Sequence, residues 1–131
     1  MSQLVLIHGP GAGGCSAGYQ YQLEHFPGSL APDLPGHPDG ESLSTVAEYT
    51  EWVRDWLHSR GHTKDLVLSG FTLGACIALQ YALDHPNEVA GLLLMTIAMR
   101  PKERAKGGLE FRLNAAKDPQ IYEDWLEAMR H

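Results

Sequence analysis

The sequence predicts an α/β fold, a parallel and doubly wound sheet of about four strands, and three observations carry that expectation. Short, wholly apolar runs stand at Leu4–Ile7 and Leu66–Leu68, with a third apolar segment at Gly91–Met95. Runs of that kind mark strands buried on both faces, as parallel strands are. Segments with helical periodicity alternate with them, which places helices on the sheet faces. The first two runs end in glycine-bearing turns, the punctuation expected where a buried strand reverses into a helix.

In chain order, Leu4–Ile7 is the first strand and runs into Gly9, Gly11, Gly13 and Gly14. A helix over Tyr19–His25 follows, stopped by Pro27-Gly28. Ser29–Ala31 is expected as a short second strand, leading into the proline-rich loop Pro32–Gly40. Thr45-Val-Ala-Glu48 is a capping box, and the helix it opens places Val46, Tyr49, Val53, Trp56 and Leu57 on one face before Gly61 stops it. Leu66–Leu68 is the third strand, Leu73–Asp84 a largely buried helix closed by Pro86, and Gly91–Met95 the fourth strand. From Arg100 the character changes. Pro101–Gly108 reads as a linker, and Asp118-Pro119 opens a last helix with an apolar stripe of Ile121, Tyr122, Trp125, Leu126 and Met129.

A length of 131 residues fits one domain, and a 44% hydrophobic, 20% charged composition supports a packed core. Ten Lys and Arg against sixteen Asp and Glu give a net charge of −6, which excludes a phosphate-tracking nucleic-acid binder. The longest apolar run is too short to span a bilayer, and no basic region precedes the first one as in a signal peptide. Cys15 and Cys76 lack metal or redox spacing and read as reduced thiols of a cytoplasmic protein.

Two glycine patterns carry candidate chemistry. Gly70-Phe71-Thr72-Leu73-Gly74, between an apolar strand and a buried helix, has the form of a nucleophile elbow. Such a turn lifts one side chain above the sheet and needs small flanking residues, and the following helix N-terminus offers a free N–H to a developing oxyanion. Gly9-x-Gly11-x-x-Gly14, with Asp33 near the end of the next strand, satisfies the dinucleotide-binding fingerprint as a rival reading. His8 before the first glycine, the prolines of the Asp33–Pro38 loop and the second glycine-bracketed turn stand against that rival.

Four segments, in order over residues 4–97, resemble the first half of an α/β-hydrolase. Leu4–Gly9 resembles the strand ending in His-Gly that supplies an oxyanion-hole loop, and Asp33-Leu-Pro-Gly-His37 resembles the Asp-x-x-Gly-His loop. Leu66–Gly74 resembles the elbow, and His85-Pro86-Asn-Glu-Val89 with Ala90–Met95 resembles the segment after it. The resemblance implies a sheet of the α/β-hydrolase type, incomplete here. Residues 1–97 would be the N-terminal half of the core and 98–131 the start of a helical lid. It implies hydrolysis of a small carboxylic ester, or a related acyl or C–C cleavage, with no metal and no organic cofactor.

Three departures bear on that activity. Thr72 stands at the nucleophile position, where the family usually has serine, and a β-branched residue fits poorly at the positive φ of an elbow. The N–H of Leu73 supplies one oxyanion donor by resemblance, but the second would fall on Pro10, which has none, so Gly11 would take it over. Beyond Thr72 the histidines are His85 and His131, and neither suits the role of general base. The expectation is therefore an impaired or inactive hydrolase, with acid and histidine supplied from elsewhere. The alternative is a catalytically dead module that binds a small apolar ligand or self-associates. The remaining site-loop residues, His8, Gly9, Asp33 and His37, read first as loop-organising groups. In the expected strand order, second-first-third-fourth, the fourth strand is an open apolar edge, to be covered by a missing C-terminal segment, a second chain or a homo-oligomer.

Overall fold

Residues 2–10, 14–37 and 39–97, with Gln120, Glu123 and Glu127, are described by a computed structural model. The elements run in order β1 (Gln3–Ile7), a 3-10 turn (Ser16–Tyr19), α1 (Gln20–His25), α2 (Val46–His58), β2 (Leu66–Phe71), α3 (Leu73–Asp84) and β3 (Val89–Met95). The chain divides into two compact units, Met1–Ile97 and Ala98–His131. The expected linker Pro101–Gly108, the Asp118-Pro119 cap and the apolar stripe of the last helix lie outside the described residues. Gln120, Glu123 and Glu127 are helical and exposed.

All strand pairing is parallel, in the order β1-β2-β3. Ile7 stands opposite Gly70, and Phe71 opposite Met95. A bulge between Leu66 and Val67 lets β3 start at Val89, two residues before the expected Gly91. The apolar runs become strands because their side chains are enclosed on both faces: Val5, Ile7, Leu66 and Leu68 are all fully buried.

The expected strand Ser29–Ala31 is a correction: it forms one isolated parallel bridge, Val5 with Leu30. Leu30 N–H donates to Leu4 O at 3.0 Å, and Leu6 N–H donates to Leu30 O at 2.7 Å. In a parallel ladder the next donor on that side is the N–H of residue 32, and Pro32 has none. Pairing stops there, on the expected side of β1. The sheet has three strands and a bridge among the described residues, rather than four strands.

α3 packs across all three strands, and α2 packs on α3. One core joins them, with Tyr81, Ile77 and Ala78 of α3 and Tyr49, Val53 and Leu57 of α2 buried against Val5, Ile7, Leu66 and Leu68. Trp56 and Val46 are partly buried on this core, as is Trp52, which the helical reading left off the face. Thr45 caps α2: its hydroxyl accepts from Glu48 N–H at 3.1 Å, and the Glu48 carboxylate accepts from Thr45 N–H at 3.2 Å. Thr45→Ala is expected to lower stability by about 1 kcal/mol, read as a shifted urea midpoint with unchanged m-value. α1 starts at Gln20, after the 3-10 turn and one residue later than the expected Tyr19, and none of its residues is buried.

Candidate active site

The C-terminal ends of the strands bring the two glycine patterns together. The sheet register that pairs Ile7 with Gly70, carried two residues further, sets Gly9 beside Thr72. Thr72 lies between β2 and α3 with φ 52° and ψ −109°, in the left-handed region that β-branched residues avoid. Its N–H donates to Met95 O at 3.0 Å, and its carbonyl accepts from Cys76 N–H at 3.1 Å. The strained residue is therefore held from both sides, by β3 and by the first turn of α3. Thr96, directly after β3, also stands at positive φ, 55°, at the same end of the sheet. That second strained threonine carries no signal in the sequence.

The glycines of this turn follow from space. A Cβ on Gly70 would collide with Gly74 O, and a Cβ on Gly74 would collide with Ile7 O and crowd His8 O. A Cβ on Gly9 would occupy the place of the Thr72 hydroxyl. That hydroxyl is fully buried and has no hydrogen-bond partner among the described residues. Thr72 as a residue is only partly buried, so its accessible surface belongs to atoms other than the hydroxyl. Leu73, the first residue of α3, has no intrahelical acceptor for its N–H. Pro10 is exposed and offers no N–H, and Gly11 lies outside the described residues.

His8 is buried and spends both ring nitrogens on loops. Leu34 N–H can only donate, so His8 Nε2, at 3.0 Å, accepts; Nδ1 then carries the proton and donates to Gly9 O at 2.8 Å. The ring is thereby a strut between the glycine loop and the loop after the Leu30 bridge. Asp33 accepts from Ser16 N–H at 2.7 Å, so its carboxylate fastens the 3-10 turn. His37 Nδ1–H donates to Pro35 O at 3.1 Å, its ring 5.6 Å from that of His8. The Tyr49 hydroxyl secures the same loop, donating to Pro35 O and accepting from Leu43 N–H, both at 3.1 Å. Tyr49 is thus both a core residue, as helical spacing indicates, and a joint through its hydroxyl.

Beside the turn lies a cavity of about 420 Å³. His8, Gly9 and Pro10 line it from the glycine loop, Phe71 and Met95 from the ends of β2 and β3. Cys15, Tyr19 and Gln22 close it from the other side. Among the described lining residues there is neither Asp33, His37 nor Thr72: the threonine's neighbours, Gly9 and Phe71, form the wall. Tyr19 donates its hydroxyl to Ile7 O at 3.1 Å, and burial pushes the phenol pKa up. Sequence reading missed this face; the spacing of Tyr19 and Gln22, one helical turn apart after a glycine loop, was its only signal. Cys15 and Cys76 are both free thiols. No group of three His, Cys, Asp or Glu residues able to hold a metal occurs among the described residues.

His85 stands at the opposite end of α3, where Nε2 lies 3.0 Å from Glu51 Oε1 and the ring packs on Tyr81. That end also carries a cluster that sequence reading did not anticipate. Glu88 Oε1 pairs with Arg54 Nη2 at 2.6 Å, while Glu88 Oε2 accepts from Tyr81 OH at 2.6 Å and lies 3.0 Å from His58 Nε2. Burial pushes the Glu88 carboxyl upward, but the bonds from Arg54, Tyr81 and His58 outweigh it and hold its pKa at about 2. Burial, and then the bond to Glu88, push the Tyr81 phenol well above its usual range.

Comparison with known proteins agrees with this architecture. Residues 4–130 match the model of the alpha/beta hydrolase family. The chain is 35% identical over 105 residues to a pyrethroid hydrolase of Sphingobium wenxiniae, covering 76% of this chain and 37% of that protein. Its fold is similar to that of a thermophilic esterase from Thermogutta terrifontis, with TM-score 0.71 and 21% identity over 86% of this chain and 43% of that one. It is also similar to a carboxylesterase structure from Nitrososphaera gargenis, with TM-score 0.70 and 18% identity over 89% of this chain and 46% of that one. The chain thus spans less than half the length of each of these relatives. No described helix is long and apolar enough to cross a membrane. The family match also displaces the dinucleotide reading, whose acid, Asp33, is tied to the 3-10 turn. The parallel sheet, the strained strand-to-helix turn and the match over nearly the whole chain lead to one conclusion: this chain belongs to the alpha/beta hydrolase family.

Proposed function

We propose that these residues form the nucleophile-bearing part of an esterase-like hydrolase of small carboxylic esters or related acyl or C–C bonds, with Thr72 in the nucleophile position and impaired there. The observation that carries the reading is the Thr72 hydroxyl, buried and unbonded on a strained turn between strand and helix. Relatives named as a pyrethroid hydrolase and as esterases support the substrate class. In the reaction, the hydroxyl oxygen adds to the ester carbonyl and its proton passes to a histidine base. The oxyanion is held by the N–H of Leu73 and of Gly11, the alcohol departs with the proton, and water then releases the acid. His85 is not the base, since it is engaged with Glu51 at the far end of α3; the acid and histidine are to be supplied from outside the described site.

Impairment follows from the β-methyl group. A serine hydroxyl turns toward substrate freely, whereas here the hydroxyl lies under Gly9 and the threonine's other atoms hold the accessible side. Thr72→Ser, in the polypeptide that supplies the missing base, is expected to raise p-nitrophenyl ester turnover at least about tenfold. Activity that stays at background in a folded variant removes the enzyme reading. A second reading is then favoured by β3, an edge strand with Leu93 57% and Leu92 39% exposed: a non-catalytic module that binds a small apolar ligand and covers this edge with another chain. Native and denatured masses of the purified species distinguish a longer or split hydrolase from a self-associated one.

A further inference from the structure

Most polar side chains around the cavity are already committed. His8 uses both ring nitrogens on Gly9 and Leu34, and the Tyr19 hydroxyl donates to Ile7. Phe71 and Met95 contribute apolar surface, and no acidic side chain, lysine or arginine occurs among the described lining residues. What remains, beside the free thiol of Cys15, is Gln22, exposed on α1. Its backbone carbonyl accepts from Phe26 N–H, but its side-chain amide makes no hydrogen bond among the described residues. An amide of this kind supplies two donors and one acceptor on a wall otherwise lined, the weakly polar Cys15 thiol aside, by apolar or saturated groups.

We propose that Gln22 is the specificity-determining residue of this cavity, hydrogen-bonding an acceptor oxygen on an uncharged ligand whose apolar, aromatic-sized body packs between Tyr19, Phe71 and Met95. The volume of about 420 Å³ suits such a body and lies within the range of about 300–1,000 Å³ usual for small-molecule sites. An anion is disfavoured because it would lose hydration with no cationic side chain on the described wall to replace it. A ligand with no acceptor would fill the cavity and leave the exposed amide to solvent. The inference rests on the small-molecule site proposed above and adds the chemistry of its occupant.

The experiment uses the 131-residue chain and three matched probes: methyl 2-naphthoate, 2-ethylnaphthalene and the 2-naphthoate anion. Binding is followed by naphthyl fluorescence, with released 2-naphthoate measured in the same samples. The native chain is expected to bind the methyl ester roughly fivefold more tightly than the hydrocarbon, and the anion most weakly. Gln22→Leu is expected to abolish that roughly fivefold preference while leaving hydrocarbon affinity unchanged. An ester preference that survives Gln22→Leu overturns the assignment of Gln22 while the cavity reading stands. Failure of every naphthyl probe to bind the folded native chain overturns the inference together with the small-molecule site. Binding with no 2-naphthoate release, lost selectively on Gln22→Leu, supports the inference and counts only against catalysis by this chain.

Discussion

Gly74→Ala is expected to lower stability by at least about 3 kcal/mol, a large fraction of the about 5–15 kcal/mol usual for a folded domain. The new methyl group would collide with Ile7 O and come against His8 O, backbone oxygens of the last residue of β1 and the one after it. A flexible side chain could swing away from such a contact. Here relief requires α3 to move off the sheet, opening the core around Ile77, Ala78 and Tyr81. Gly70→Ala meets Gly74 O and the backbone N of Ala75, so it should behave in the same way. The control is Gly91→Ala on β3, where the nearest atoms are the Val67 methyl groups at 3.8 Å, ordinary packing contact. Urea unfolding of the three variants checks the expectation, and a Gly74→Ala midpoint within error of the native one would refute it.

Acid should weaken the protein through Glu88. Its carboxyl titrates near 2 in the folded chain, against an ordinary value of 4.5. A carboxylate held below its unfolded value contributes stability that is complete above pH 4.5 and disappears as the pH falls toward 2. The carboxylate is 15% exposed and Arg54 29%, so solvent screening reduces the contribution to about 1–2 kcal/mol. Glu88→Gln keeps the shape and removes the charge, leaving Arg54 on α2 without its counter-ion. The variant is expected to lose about 2 kcal/mol at pH 7, with the difference from the native chain shrinking between pH 4.5 and 2 as the native carboxylate protonates. Urea melts of both proteins across that interval measure it. A difference independent of pH would show that Glu88 acts through packing. His85 and Glu51, paired nearby, remain in both proteins and cancel in the comparison.

The fold was legible because each element announces itself over short stretches. Leu66–Leu68 had to be enclosed on both faces, Thr45 and Glu48 mark the start of α2 by reciprocal bonds three residues apart, and Pro86 ends α3. Where reading failed, a backbone detail overrode pattern. Ser29–Ala31 has the composition of a strand, but the missing N–H of Pro32 ends its pairing at Leu30. The turn around Thr72 was legible as well, because close approach of backbone at Gly70 and Gly74 leaves few other residue types possible.

By itself, then, the sequence determined the parallel α/β class, the glycine-bracketed turn and the threonine standing in it. Tertiary structure alone decided what surrounds that threonine. Sheet register, set by long-range pairing of β1 with β2, brings Gly9 against the Thr72 hydroxyl across more than half the described chain. The cavity wall of Cys15, Tyr19 and Gln22 and the cluster of Arg54, His58, Tyr81 and Glu88 arise in the same manner. Their members lie on different elements, and no periodicity within one element records which face of another it will meet.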